Sequence, residues 1–223
     1  YINQNFEYIF FPAQFWKHKN HERVLKAFFE FSKDFKLVKM ILTGNKNREY
    51  NSILDLITKL KLRDKIIFFH RIPQKFMPYF FKNSVFTIAP TLHESISIPV
   101  FEAFQYQSPV CASGILAIKD QVSDCGLLFN PESIEDIYKC MHKLYVDRDL
   151  REKLKLKGKK ISILGLAFKE NTDDIRESRS IKLINLLLKY DCNIVVHDPK
   201  AIDNTRLIFK NKITYGNSIK DVI

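Results

Sequence analysis

Short apolar runs and stretches of helical periodicity alternate along this chain up to about residue 157, and the connections between them are brief. That rhythm leaves few architectures open, because parallel strands need a crossover and a helix is the usual one. Residues 7–11 form an apolar run ended by Pro12. Between 20 and 35, Val24, Leu25, Ala27, Phe28 and Phe31 recur at the spacing of one helix face. A strand at 37–42 closed by Gly44, a helix near 48–62, a strand at 65–70 and a short helix over 73–82 follow. Then come a strand at 85–90, a helix starting at Pro99, strands at 109–113 and 126–130, and helical patterns at 134–146 and 149–157. The expected fold is α/β, a Rossmann-like doubly wound parallel sheet.

The polar break at His93-Glu94-Ser95 falls between a buried strand and the helix that Pro99 starts. A helix N-terminus at the carboxyl end of a parallel strand presents backbone N–H groups and partial positive charge, which suits a phosphate or diphosphate. Glu94 and Glu102, with seven residues between them, lie on either side of that start. A carboxylate accepts hydrogen bonds from vicinal hydroxyls, so the pair has the chemistry to bracket a nucleotide sugar. By spacing alone, two solvated acids favoured by the helix dipole are the better reading.

The loop 12–21 joins the first strand to the first helix and carries Lys17 and Lys19, a reasonable diphosphate clamp. His18 and His21 read as loop and helix-surface residues. No carboxylate or cysteine nearby completes a metal site with them.

A formal charge of +11 would suit nucleic acid, an anionic membrane surface or phosphorylated substrates. The lysines are scattered, with no arginine-rich tract and no aromatic-basic ladder, so a solvated basic surface is expected and a nucleic-acid partner is not. Peripheral contact with an anionic membrane stays open. Cys111, Cys125, Cys140 and Cys192 show no C-x-x-C spacing and read as reduced core cysteines of a cytoplasmic protein. No apolar run approaches the roughly 18 to 20 residues of a membrane span, and no signal peptide is visible. Tyr1 is not an initiator methionine and a strand follows almost at once, which reads as a fragment.

The run Pro90-Thr91-Leu92-His93-Glu94-Ser95-Ile96-Ser97-Ile98-Pro99-Val100-Phe101-Glu102-Ala103-Phe104, with Gln107-Ser108-Pro109-Val110, resembles the donor-site signature of the family-4 retaining glycosyltransferases of the GT-B fold. The resemblance covers about 8–157 and implies a donor-binding domain over 1–157, the C-terminal half of a GT-B enzyme. It implies hexosyl transfer with retention from a UDP- or GDP-linked sugar, with no cofactor and no metal. Glu94 would hold the hexose as the candidate catalytic residue, Glu102 the ribose and Lys19 the donor phosphates. Ser95 and Ser97 stand where the family often has glycine, and Gln14 where many members have arginine, so donor binding would lean on Lys19 and the Ser97 and Ile98 amides. The acceptor is not indicated. A GT-B cleft needs a second domain, so this chain alone is expected to transfer no sugar at a useful rate.

From Lys160 the residues change character. An apolar run at 160–169 expected as a strand, a charged loop at 170–179, a helix at 180–190 and a strand at 193–197 make a second α/β unit. Gly165-Leu166-Ala167-Phe168-Lys169-Glu170-Asn171-Thr172-Asp173-Asp174-Ile175-Arg176-Glu177-Ser178, with His197-Asp198-Pro199, resembles the UDP-binding domain of the UDP-glucose and GDP-mannose dehydrogenases. Arg179 stands where that family commonly has proline. The resemblance implies nucleotide-sugar contacts from Phe168 and Lys169, an arginine directed at NAD in Arg176, and an incomplete Rossmann-like unit over 158–223. The chain has no G-x-G-x-x-G, so the family's NAD-binding half is missing from it. The two resemblances meet at 156–160 without a Pro, Gly or Ser linker, the pattern of a junction made by recombination or by sequence assembly.

Overall fold

The computed structural model describes residues 6–157, 160–188 and 193–222. The chain divides into two compact units, Tyr1–Gly158 and Lys159–Ile223. The join at Gly158 and Lys159 lies outside the described residues, as does Cys192.

The first unit runs β1 (Tyr8–Pro12), α1 (His21–Asp34), β2 (Lys39–Thr43), α2 (Tyr50–Lys59), β3 (Ile66–Phe69), α3 (Met77–Lys82) and β4 (Phe86–Ala89). It continues with α4 (Ile98–Gln105), β5 (Val110–Ser113), α5 (Leu116–Val122), β6 (Gly126–Phe129), α6 (Ile134–Val146) and α7 (Arg148–Lys157). The six strands are parallel, in the order β3-β2-β1-β4-β5-β6. This is the doubly wound α/β sheet expected from the alternation. The chain winds outward from β1 to β3, then returns to β4 beside β1 and winds the other way. Ile9 pairs with Phe86 and Phe10 with Thr87 at this reversal, and beyond the carboxyl ends of two such strands the loops part to leave a crevice.

Every residue of β1 is buried, because helices cover both faces of the sheet. Successive side chains point to opposite faces. Ile9 and Phe11 enter one core with Leu25, Phe28, Ile137 and Met141, whereas Tyr8 and Phe10 enter the other with Phe80, Phe81, Val100 and Ala103. Phe10 stacks on Phe80 at 5.7 Å and meets Phe81 edge-on at 5.0 Å. Full burial of each such ring contributes about 1.5–3 kcal/mol. Val100 and Ala103, one turn apart and wholly buried, seat α4 on the sheet and so fix its N-terminus beside the reversal point.

The 73–82 segment is not one helix. A 3-10 turn, Gln74–Phe76, precedes α3, whose start holds Pro78; proline has no N–H to continue a helix from before it and favours the first helical turn. Between β5 and β6 the pattern suggests no helix, yet α5 is there. Its buried Ile118 and Val122 are a single turn apart, too short a run to show a period.

The second unit runs β7 (Lys160–Leu164), α8 (Arg179–Leu187), β8 (Asn193–His197), α9 (Ile202–Phe209) and β9 (Thr214–Tyr215). Its parallel sheet has the order β7-β8-β9 over a core of Ile163, Leu166, Ile184, Ile194, Val196 and Phe209. The run 160–169 stops being a strand at Leu164, because Gly165 takes φ +84 and turns the chain so that Leu166 enters the core. Among the described residues no helix is long and apolar enough to cross a membrane.

Candidate functional site

Two loops meet at the reversal point, 13–20 after β1 and 90–97 after β4. The first contains a 3-10 turn, Lys17–Lys19, and ends at Asn20, whose left-handed φ of 61 asparagine tolerates. Asn20 is held by donation from its Nδ2 to Pro131 O at 2.7 Å. The second loop is stitched to the first: Leu92 N–H donates to His18 O at 2.7 Å, and the buried Thr91 hydroxyl lies 3.3 Å from the same oxygen. This brings Lys19 Nζ to 2.5 Å from Glu94 Oε1, with side chains only 12% and 21% exposed. Glu94 Oε2 is buried and has no hydrogen-bond partner among the described residues, so a hydroxyl donor fits there. Burial, with Lys19 nearby, lowers the His18 imidazole, while Glu94 acts in the opposite sense.

Ser97 caps α4 with extended backbone and without a side-chain cap of its own. Its N–H donates to Gln121 Oε1 at 2.9 Å, and its carbonyl accepts from Gln121 Nε2 at 2.7 Å. Lys19, Glu94 and Ser97 thus share one crevice with Phe11, Pro12 and Pro99, and the space among them is about 10 Å³, near the minimum for a single water. Ile98 presents its side chain to solvent, 65% exposed.

Glu102, half-buried on α4, accepts from Gln74 Nε2 at 3.1 Å. Gln74 opens the 3-10 turn beside a mainly apolar cavity of about 460 Å³ lined by Phe69, Arg71, Ile72, Pro73, Phe76, Tyr79 and Phe80. Gln14 is turned elsewhere. Its Oε1 accepts from Asn45 N–H at 2.9 Å, beside Gly44, where φ is +141 and a Cβ would lie 2.7 Å from Ala13 O. That glycine lets the end of β2 approach the β1 loop, and Gln14 braces the contact.

His21 is not a helix-surface residue. It is buried, stacks on Phe11 at 4.3 Å, and has no hydrogen-bond partner at either ring nitrogen among the described residues. Burial, with Lys19 nearby, lowers its pKa to about 3, so it is a neutral core side chain. Apolar residues on both sides of α1's start leave it no other place.

In the second unit Phe168 is half exposed, and Lys169 Nζ stands 5.7 Å from the centre of its ring. Arg176 forms a fork on Asp174, Nε to Oδ1 at 3.0 Å and Nη2 to Oδ2 at 2.9 Å, and its hydrogen bonds hold the Asp174 carboxyl down at about 2. Asp198 organises the turn before these residues. Its carboxylate accepts from Leu166 N–H at 2.7 Å, Ala167 N–H at 3.2 Å, and Lys200 and Ala201 N–H at 2.8 Å each. Burial raises the Asp198 pKa, but these donors outweigh it and leave the group below the ordinary carboxylate value.

Sequence reasoning did not find Gln121 or Gln74. Both hold candidate residues through side-chain amides whose placement depends on α5 and the 3-10 turn, so no local pattern marks them.

The family model for Glycosyl transferases group 1 matches residues 1–161, and that for the UDP-glucose/GDP-mannose dehydrogenase family, UDP binding domain, matches residues 162–223. Among solved structures, the sucrose-phosphate synthase of Thermosynechococcus elongatus superposes with a TM-score of 0.63 at 17% identity, over 69% of this chain and 40% of the synthase. The C-terminal domain of a glycosyl transferase group 1 family protein (LpcC) from Francisella tularensis gives 0.61 at 19% identity, over 68% of this chain and 82% of that one. Both likenesses concern the fold. The UDP-glucose 6-dehydrogenase AglM of Haloferax volcanii is 47% identical over 74 residues, 33% of this chain and 17% of that protein. The chain spans about a sixth of the length of the curated dehydrogenases it matches.

Proposed function

The chain belongs to the Glycosyl transferases group 1 family, joined to a segment matching the UDP-binding domain of nucleotide-sugar dehydrogenases, and from that premise we propose that its first unit binds the donor of a retaining hexosyl transfer. The observation that carries this reading is the meeting of Lys19 and Glu94 beside the N-terminus of α4, at the reversal point of the sheet. Lys19 would turn from Glu94 to the diphosphate. Glu94, with its unpartnered Oε2, would take hexose hydroxyls, and Glu102 those of the ribose. The cavity beside Gln74 is of a size and apolar character to receive the base. In transfer with retention, the bond from the anomeric carbon to the phosphate oxygen breaks and one to an acceptor oxygen forms on the same face. The acceptor hydroxyl's proton passes to the phosphate oxygen of the departing nucleoside diphosphate. The domain that would present the acceptor, and contact between the lysine-rich surface and an anionic membrane, belong to the same proposal.

The second unit would hold a UDP-sugar through Phe168 and Lys169. Its residues do not by themselves fit NAD: Arg176, directed at the dinucleotide by resemblance, is forked onto Asp174, and the chain has no glycine-rich fingerprint. No step through NAD is assigned to them. Incubating the chain with labelled UDP-glucose or GDP-mannose and oligosaccharide acceptors tests the reading. Release of nucleoside diphosphate with labelled glycan supports transfer, donor binding without product supports binding alone, and no binding contradicts both.

A further inference from the structure

Gln121 takes no part in the motif that marks the other residues, yet its side chain pairs with the peptide of Ser97, which lines their crevice. A carboxamide paired with a peptide group in both directions satisfies the Ser97 N–H with an oxygen of the protein's own, as an anion's oxygen does at a helix start. Ser97 is 2% exposed and has no side-chain cap, so Gln121 is what satisfies its N–H, while its carbonyl also accepts from Val100 N–H at 3.2 Å. Lys19 is matched to Glu94 in the same self-contained manner, and the space left between them holds no more than about one water. A phosphate oxygen reaches the Ser97 amide only after Gln121 withdraws. Ile118 and Val122 are wholly buried on either side of Gln121 and fix the backbone of α5, so withdrawal is a side-chain rotation.

We propose that Gln121 is a positioning residue that keeps the empty donor site occupied by the protein itself: its amide oxygen stands in for a phosphate oxygen on Ser97 N–H, and the donor diphosphate displaces it. The inference rests on the donor-site reading and adds to it a competitor built into the fold. A plain structural brace predicts the opposite, since removing a brace loosens the loop and weakens every ligand.

The test titrates the 223-residue chain and its Gln121 variants with UDP and GDP by calorimetry, and with uridine and guanosine by NMR. Gln121→Ala is expected to bind the diphosphate about three- to tenfold more tightly, the fold-change that follows from removing a competing hydrogen-bond pair. Gln121→Met, which keeps the length of the side chain without its amide, is expected to follow the alanine variant and covers the case in which shortening unsettles α5. Gln121→Glu keeps an acceptor on Ser97 N–H, adds negative charge, and is expected to bind the diphosphate about tenfold more weakly. The phosphate-free nucleosides are expected to be indifferent to all three changes. Weaker diphosphate binding by the alanine and methionine variants, or equal shifts for nucleoside and diphosphate, overturns the inference and leaves the donor site standing. Failure of the wild-type chain to bind either diphosphate contradicts the donor-site reading, and the inference with it.

Discussion

Lys19 Nζ and Glu94 Oε1 lie 2.5 Å apart across 75 positions of sequence, in side chains that are both largely buried. Removing one member of such a pair leaves the other charge uncompensated, and Glu94 Oε2 already lacks a partner. Lys19→Met is therefore expected to destabilise the first unit by about 2 kcal/mol, below the fully buried figure because some exposure remains. Adding Glu94→Gln in the same chain is expected to recover most of that loss. Urea unfolding of the two single variants and the double variant measures the coupling; additive losses would show that the two groups are not paired.

Glu102 is half-buried and its side chain accepts one weak hydrogen bond, from Gln74, among the described residues, so Glu102→Ala is expected to change stability little. Nucleotide affinity is expected to fall by about 1–3 kcal/mol through lost charge-assisted bonds to the ribose. The preference for ribo- over deoxyribonucleotide should shrink with it. Calorimetry with both ligands reads the two effects, and an unchanged preference would remove Glu102 from the ribose.

His21 predicts an acid limb in the stability of the first unit. Its folded pKa, about 3, lies below the ordinary imidazole value of 6.5, so the unfolded chain binds the additional proton between those values. Stability from this group is complete above about 6.5 and falls with decreasing pH by up to about 1.4 kcal/mol per unit until about 3. His21→Phe, which keeps a ring against Phe11, is expected to flatten that limb. Denaturant midpoints between pH 7 and 4 check it, and an equal slope in the variant would show that other groups carry the effect.

The alternation of apolar runs was enough to read the parallel sheet, because β1, β2 and β4 are buried on both faces and show as continuous apolar segments. The motif around Glu94 draws attention to the loop that lines the crevice with Lys19 and Ser97, whereas Glu102 lies against Gln74. Contacts between distant residues carry no local pattern: α5 is too short to show a period, and Gln121 meets Ser97 across 24 positions, with α4 and β5 between them. His21 misleads because its polarity suggests a surface, while Phe11 and Phe15 enclose it. The apolar run predicts a strand through Lys169, whereas the strand ends at Leu164, where Gly165 turns the chain.

Asp198 holds the turn of the second unit through backbone donors, and an amide oxygen in its place accepts such bonds less strongly. Asp198→Asn is expected to cost that unit about 1–3 kcal/mol. Because the folded pKa is depressed, the wild-type contribution is present above the ordinary carboxylate range and is lost as pH falls through the folded value. Hydrogen exchange at Leu166 and Ala201 reads this locally, and unchanged protection would show the carboxylate to be dispensable.

The claim on which the rest depends is that Lys19 and Glu94 form part of a diphosphate site in the first unit. Its most direct measurement is calorimetric titration of the chain with UDP-glucose and GDP-mannose, repeated for Lys19→Met/Glu94→Gln, in which the pair is removed without stranding a charge. The wild-type chain is expected to bind at least one donor, with the double variant weakened at least about tenfold, the equivalent of roughly 1.4 kcal/mol. Equal affinity of the two proteins for every donor, or no binding by the wild type, would contradict the account.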